Sequence, residues 1–242
     1  MARNKKFNLK QFLKKLPKII LKIFIGFIFL SIFSVVLLKW LNPFTSSIMI
    51  QRKISAVITF KNRQIIAYEW FSYDDISKNM ALAVIAAEDQ NFPNHFGFDL
   101  EQIEKAIEQH ERGRRLRGAS TITQQVAKNL FLWEGRSFIR KGLEAYFTVL
   151  IELLWRKERI LEVYLNITEL GDMIFGAGAA SQIYFKRLPS KLTRGQAALL
   201  AAIIPNPIRF SAKHPSAYIL RRQGWIVEQM SSLGGTDYIK NL

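Results

Sequence analysis

Cysteine is absent from the 242 residues, which excludes a disulfide framework and a thiolate metal site. Histidine is nearly as scarce. His95, His110 and His214 are too scattered for a recognisable metal motif, and His95 reads as a structural hydrogen-bonding residue. Glycine-rich phosphate loops of the P-loop or Rossmann pattern are missing, as are internal repeats and low-complexity tracts. Acid is missing from the whole stretch before Glu69, while nine basic residues precede Trp40. Of the net charge of +16, that leaves 26 basic and 19 acidic residues from Trp40 onward. The body is therefore moderately basic, which suits an anionic substrate or an anionic membrane surface. Nucleic acid is not demanded and is not expected as a partner.

What the N-terminal region has instead of acid is apolar length. From Ile19 to Leu38, sixteen of twenty residues are Ile, Leu, Phe or Val, and Lys22 is the single charge. At about −0.3 to −0.6 kcal/mol each, these residues outweigh the roughly +3 kcal/mol of one lysine, which sits near the end where it can snorkel. About twenty residues spans a bilayer. "LLKWLNP" after the run contains no small-residue cleavage signal, so an uncleaved anchor is expected rather than a signal peptide. The basic flank puts the N-terminus in the cytoplasm and the body outside. The expected division is a cytoplasmic basic tail (1–18), a transmembrane helix (19–39), a juxtamembrane linker (40–70) and a catalytic domain (71–242).

Beyond the anchor the signals are mostly helical. "ISAVITF" reads as a short strand or an extended segment. Met80, Val84 and Ala87 share a helical face, and Pro93 ends what precedes it. "QHERGRRLRGA" (109–119) reads as a basic loop. Capping boxes open two helices, Thr121 with Gln124 and Thr193 with Gln196. Residues 136–166 form one or two long helices with Phe147, Leu150, Leu154 and Leu161 in a stripe. A last helix over about 216–233 stops at Gly234-Gly235.

Chemistry must then come from carboxylates and ordered polar or basic groups. "AVIAAEDQNFPNHFGFD" (83–99) runs five small or branched apolar residues toward Glu88 and Asp89. Either these carboxylates are a solvated helix end, or the fold holds one in a cleft as a base. Gln124 and Lys128 share a helix face, as do Gln125 and Asn129. Arg140 and Glu144 fit an i, i+4 surface pair worth a few tenths of a kcal/mol.

In order and spacing, five segments resemble the motifs of the bacterial peptidoglycan glycosyltransferases (glycosyltransferase family 51), and most closely its monofunctional biosynthetic members from Gram-negative bacteria. They are "EDQNFPNHFG", "GASTITQQVAKN", "RKGLEA", "KERILEVYLN" and, more loosely, "RRQGWIV". Many members have glycine at the place of Ala119. The resemblance runs from about Ile50 to Gly235. With the chain ending at Leu242, no penicillin-binding transpeptidase domain is expected.

The resemblance implies a mainly α-helical fold, with a larger lysozyme-like lobe and a smaller membrane-associated jaw to which Phe131, Leu132 and Trp133 would belong. It implies polymerisation of lipid II into β-1,4-linked glycan, with release of polyprenyl diphosphate, at the inner membrane and with the catalytic domain in the periplasm. Glu88 matches the family's base and Glu144 its second essential carboxylate; Asp89 is a structural helper. Lys128, Arg136 and Lys141 match positions that contact the diphosphate. Ser120, Gln124 and Gln125 are placed to bind sugar or phosphate, and Tyr184 and Asn206 are further substrate-binding carry-overs. No organic cofactor is implied, although a divalent cation (Mg or Mn) near Glu144 is. Expected partners are lipid II, the growing glycan chain, membrane lipid and cell-wall synthesis or division proteins.

Two rival readings are a lysozyme-like lytic glycan-cleaving enzyme and a non-enzymatic membrane-bound interaction protein. The first has no need of "STITQQVAKN" with "RKGLEA"; the second leaves the ordered polar pairs unexplained.

Overall fold

The computed structural model describes residues 9–59, 65–112, 120–135, 137–240 and 242. The chain divides into two units, Met1–Leu41 and Asn42–Leu242. The first is essentially one helix, α1 (Leu9–Leu38). Its segment Lys15–Leu38 is long and apolar enough to cross a membrane, and Ile23, Phe24, Phe29 and Leu30 are all exposed along it. The helix begins ten residues before the apolar run, so part of the basic tail is helical too.

The second unit is built from helices and one small sheet. Its first helix, α2 (Ser47–Ile58), replaces the strand or extended segment expected over "ISAVITF". Ser46 explains the difference: its hydroxyl accepts from the Met49 N–H and starts a helix that carries through the β-branched residues. Burial of Ile48, Met49 and Ala56 on one side then holds it. Next come β1 (Ala67–Tyr68), a 3₁₀ turn (Tyr73–Asp75), α3 (Lys78–Glu88) and α4 (Leu100–Glu111). Helix α4 takes in residues 109–111 of the expected basic loop, and 113–119 lie outside the described residues. Then follow α5 (Ile122–Phe131), α6 (Phe138–Leu154) and α7 (Lys157–Ile167), the last two being separate helices broken where Trp155 turns extended. After β2 (Glu169–Gly171) and β3 (Ile174–Phe175) come α8 (Gly176–Phe185), α9 (Arg194–Ile203) and α10 (Ala217–Ser232). Gly234 and Gly235 follow with positive φ, as the C-terminal stop requires.

The sheet has the order β1-β3-β2, with β1 parallel and β2 antiparallel to β3. Helix α3 packs against α9 and α10, and α5 against α6 and α7. Met80 to Ala86 are all buried, so α3 is a core helix on every side. Both expected capping boxes form, at Thr121 and at Thr193. The mainly helical class inferred from the sequence is the class observed.

Candidate active site

Helix α3 delivers Glu88 from the core to the rim of a cleft. One carboxylate oxygen, Oε2, accepts a 3.1 Å hydrogen bond from Gln125 Nε2 on α5. The other, Oε1, lies 3.4 Å from Arg222 Nη2 on α10, and the side chain keeps 15% exposure. Burial pushes the Glu88 pKa above the usual carboxylate range, while the Gln125 hydrogen bond and the charges of Arg222 and Lys128 pull it back. The solvated helix end is thereby excluded. A carboxylate so placed bears its charge reluctantly and is still reachable from the cleft.

Asp89 works in the opposite sense. Its Oδ1 meets His95 Nε2 at 2.8 Å and its Oδ2 accepts from the Ile122 N–H at 2.9 Å, at the start of α5. It is a buried clamp between the loop after α3 and the N-terminus of α5, where a negative charge complements the helix dipole. His95 is the structural hydrogen-bonding residue expected. The Thr121 hydroxyl donates to the Gly97 carbonyl at 2.7 Å, tying the same loop to the same helix. Gly97 has φ +76°, and a Cβ there would lie 2.7 Å from Thr148 Cγ2 of α6, so the loop can lie this close only with glycine.

Two cavities meet these groups. One, of about 340 Å³, is lined by Glu88, Asp89, Gln90, Gln102, Ser120 and Trp225 among others. The other, of about 470 Å³, is lined by Gln125, Lys128, Asn129, Trp133, Arg140 and Arg52 among others. Because Gln125 is bonded to Glu88, that hydrogen bond links the walls of the two. The larger cavity is cationic where it faces α5 and α6. Burial lowers the Lys128 pKa, against the pull of Glu144. Its ammonium has no hydrogen-bond or ion-pair partner among the described residues. Arg140 lines the same cavity, and its buried Nε–H has no hydrogen-bond partner among the described residues.

Glu144 stands behind these cations. It is buried, with Oε2 accepting from Arg140 Nη1 at 2.8 Å and Oε1 from Lys141 Nζ. The pair read as a surface i, i+4 contact is therefore a buried one, with side-chain exposures of 13% and 4%. Both Glu144 oxygens are taken, and no group of three or more acidic or histidine side chains able to hold a metal occurs among the described residues. These residues do not fit a resident divalent cation at Glu144.

The remaining expected residues fall in different places. Ser120 lines the smaller cavity. Gln124 is buried, and its carbonyl accepts from its own Thr121 N–H in the capping box, so the side chain serves the helix start rather than the cleft. Lys141 is half-exposed and is held by Glu144. Tyr184 donates to the Leu170 carbonyl at 3.0 Å, and Asn206 accepts from the Arg209 N–H at 3.1 Å; neither lines either cavity. Pro205 and Pro207, beside Asn206, do line the larger one. Arg136 lies outside the described residues. Of the expected jaw residues, Trp133 is exposed, but Leu132 is buried and Phe131 stacks on Phe147 with ring centres 4.4 Å apart. Sequence reasoning missed Arg222, Arg140 and Tyr164 as members of the site. All three lie inside segments that the sequence singles out, Arg140 in "RKGLEA", Tyr164 in "KERILEVYLN" and Arg222 in "RRQGWIV", and Arg140 has in addition its i, i+4 spacing to Glu144.

Residues 55–231 match the model of the Transglycosylase family. The chain is 49% identical over 231 residues to a biosynthetic peptidoglycan transglycosylase of Pseudomonas syringae pv. syringae (strain B728a), covering 95% of this chain and 97% of that one. It is 56% identical over 199 residues to the protein of the same name from Escherichia coli (strain K12 / DH10B), covering 82% of each.

Proposed function

Because this chain belongs to the transglycosylase family, and is thus a peptidoglycan glycosyltransferase, we propose that it polymerises lipid II at the membrane surface and releases polyprenyl diphosphate. The observation that carries the finer reading is Lys128, a largely buried ammonium with no ion-pair or hydrogen-bond partner within contact distance among the described residues, in a cavity whose wall is bonded to Glu88. An unpaired cation in a partly dry site is costly unless an anion visits it. A diphosphate leaving group is such an anion, and it needs positive charge rather than a proton.

In this reading Glu88 takes the proton of the incoming sugar 4-hydroxyl as that oxygen attacks C1 of the growing chain. A sugar hydroxyl is a weak nucleophile, and a positioned base is worth roughly 10² to 10⁴ in rate. The C1–oxygen bond to diphosphate breaks with the electron pair leaving on oxygen, with inversion from α to β. Lys128 and the Arg140 guanidinium stabilise that charge, and Glu144 holds Arg140 and Lys141 in place. No step here is assigned to a metal.

Exposed apolar residues support a membrane-facing jaw. Phe138 is 98% exposed, with Ile139 and Leu153 on the same helix and Ile54, Val57 and Ile58 on α2 also bare. The catalytic unit would then lie on the periplasmic face of the inner membrane, with α1 as a single-pass anchor and the N-terminus inside. The test is to incubate the purified full chain with lipid II and resolve the products by gel. Polymer from the parent and none from Lys128→Ala is the expected result; equal polymer from both would remove the diphosphate role from Lys128.

A further inference from the structure

Gln125 touches Glu88 through its amide nitrogen, and an amide can turn either way. Turned by half a revolution, its carbonyl would face the carboxylate, two acceptors would oppose each other, and Glu88 would lose its hydrogen bond. What fixes the orientation is on α7. The Tyr164 hydroxyl donates to Gln125 Oε1 at 3.0 Å, which leaves Nε2 to donate to Glu88 Oε2 at 3.1 Å. Tyr164 is fully buried and is among the largest fully buried side chains of the molecule. Burial holds its pKa well above that of an ordinary phenol, so across the working range the hydroxyl keeps the proton that it donates to Gln125.

We infer that Tyr164 is a positioning residue for the base: by locking the Gln125 amide it keeps one carboxylate oxygen of Glu88 hydrogen-bonded and the group ionised in a desolvated site. This rests on the reading of Glu88 as the base. The groups facing Glu88 are Gln125 and Lys128 from α5, Arg222 from α10, Asp89 next to it in the chain, and Tyr164 behind the amide. Arg222, at 3.4 Å, holds the other oxygen loosely. The Gln125 hydrogen bond is therefore the closest contact favouring the charged form, and Tyr164 holds the amide in the orientation that makes it.

Removing the tyrosine hydroxyl frees the amide to turn, so part of the population loses the donor to Glu88. The protonated form gains, and the acid limb of the rate profile must move to higher pH, because only ionised Glu88 accepts the proton. A purely structural tyrosine would instead lower the rate evenly at every pH.

The experiment is the pH profile of lipid II polymerisation for the parent, Tyr164→Phe, Gln125→Met and the double variant, all as full chains. Tyr164→Phe should lose at least about threefold on the acid limb and less than about twofold on the plateau. Gln125→Met should move the limb in the same direction, and adding Tyr164→Phe to it should move it no further, because the two act in series. If Tyr164→Phe fails to fold, Gln125→Met still carries the test: an unmoved limb there overturns the inference. An evenly scaled profile in Tyr164→Phe, or additive shifts in the double variant, overturns it too. A parent that makes no polymer at all is a different outcome, which sinks the function proposed above.

Discussion

At the scale of single residues, the site turns on how unequal the two neighbours Glu88 and Asp89 are. Asp89 is saturated by His95 and a helix N–H; Glu88 has one good donor and one loose cation. Glu88→Gln should abolish polymerisation, with a loss of at least about a hundredfold, since the amide cannot accept the proton. The same variant reports on the cost of the site. Burial raises the Glu88 pKa in the folded protein, so the folded state holds that proton more readily than the unfolded chain does. The resulting contribution to stability is present below the ordinary carboxylate range and is lost as pH rises through the raised value. Glu88→Gln should therefore melt no lower than the parent at neutral pH, with the gap closing as the buffer is acidified; circular dichroism melts across pH check it. Lys128→Ala should cost at least about a hundredfold in rate, and Lys128→Arg should restore part of it, because a planar fork does not place donors as a compact ammonium does. Glu88 and Lys128 were both legible in the sequence as motif positions. Arg222 lies inside the looser match "RRQGWIV", but its pairing with Glu88 was not legible, because that contact joins residues 134 apart in the chain. Gln124 shows a different failure. Its capping box forms as expected, and that box engages the amide oxygen of a side chain that the resemblance also places in the cleft.

At the scale of elements, helix starts do most of the positioning. The Thr121 box sets the register of α5 and so the aim of Gln125 and Lys128, and Thr121 also holds the loop through Gly97. The Thr193 box starts α9 by the same local chemistry, but it is exposed and its helix places no base. Replacing either threonine by alanine should cost about 1 kcal/mol of stability from the lost cap, and Thr121→Ala somewhat more, because the Gly97 carbonyl loses its buried donor. Only Thr121→Ala should also lower the polymerisation rate. Paired denaturant titrations and rate measurements distinguish them, and equal activity in both would show that the α5 start does not govern the site. Caps and breakers made these boundaries readable. The sheet was not readable, because strands of two and three residues are too short to show alternation. Helix α2 was misread because its β-branched residues favour a strand locally while its cap and buried face favour a helix.

At the scale of the molecule, a bare apolar helix and a basic, mainly helical unit share one chain. The composition announced both: one lysine in the run from Ile19 to Leu38, and no acid before Glu69. If the anchor is retained with the N-terminus inside, a reporter fused after Leu242 should be active only when exported. Protein recovered from cells should keep its N-terminal residues, and a mature start near Trp40 would mean that the segment is a cleaved signal. The chemistry of the whole is tested most directly by offering purified protein two substrates side by side, lipid II and preformed peptidoglycan, and following both polymer formation and release of soluble glycan. The parent should build polymer from lipid II with release of polyprenyl diphosphate, should leave the preformed material intact, and should lose the polymer in Lys128→Ala. Solubilised peptidoglycan without polymer, undiminished in Lys128→Ala, would contradict a synthase that works by stabilising a diphosphate leaving group.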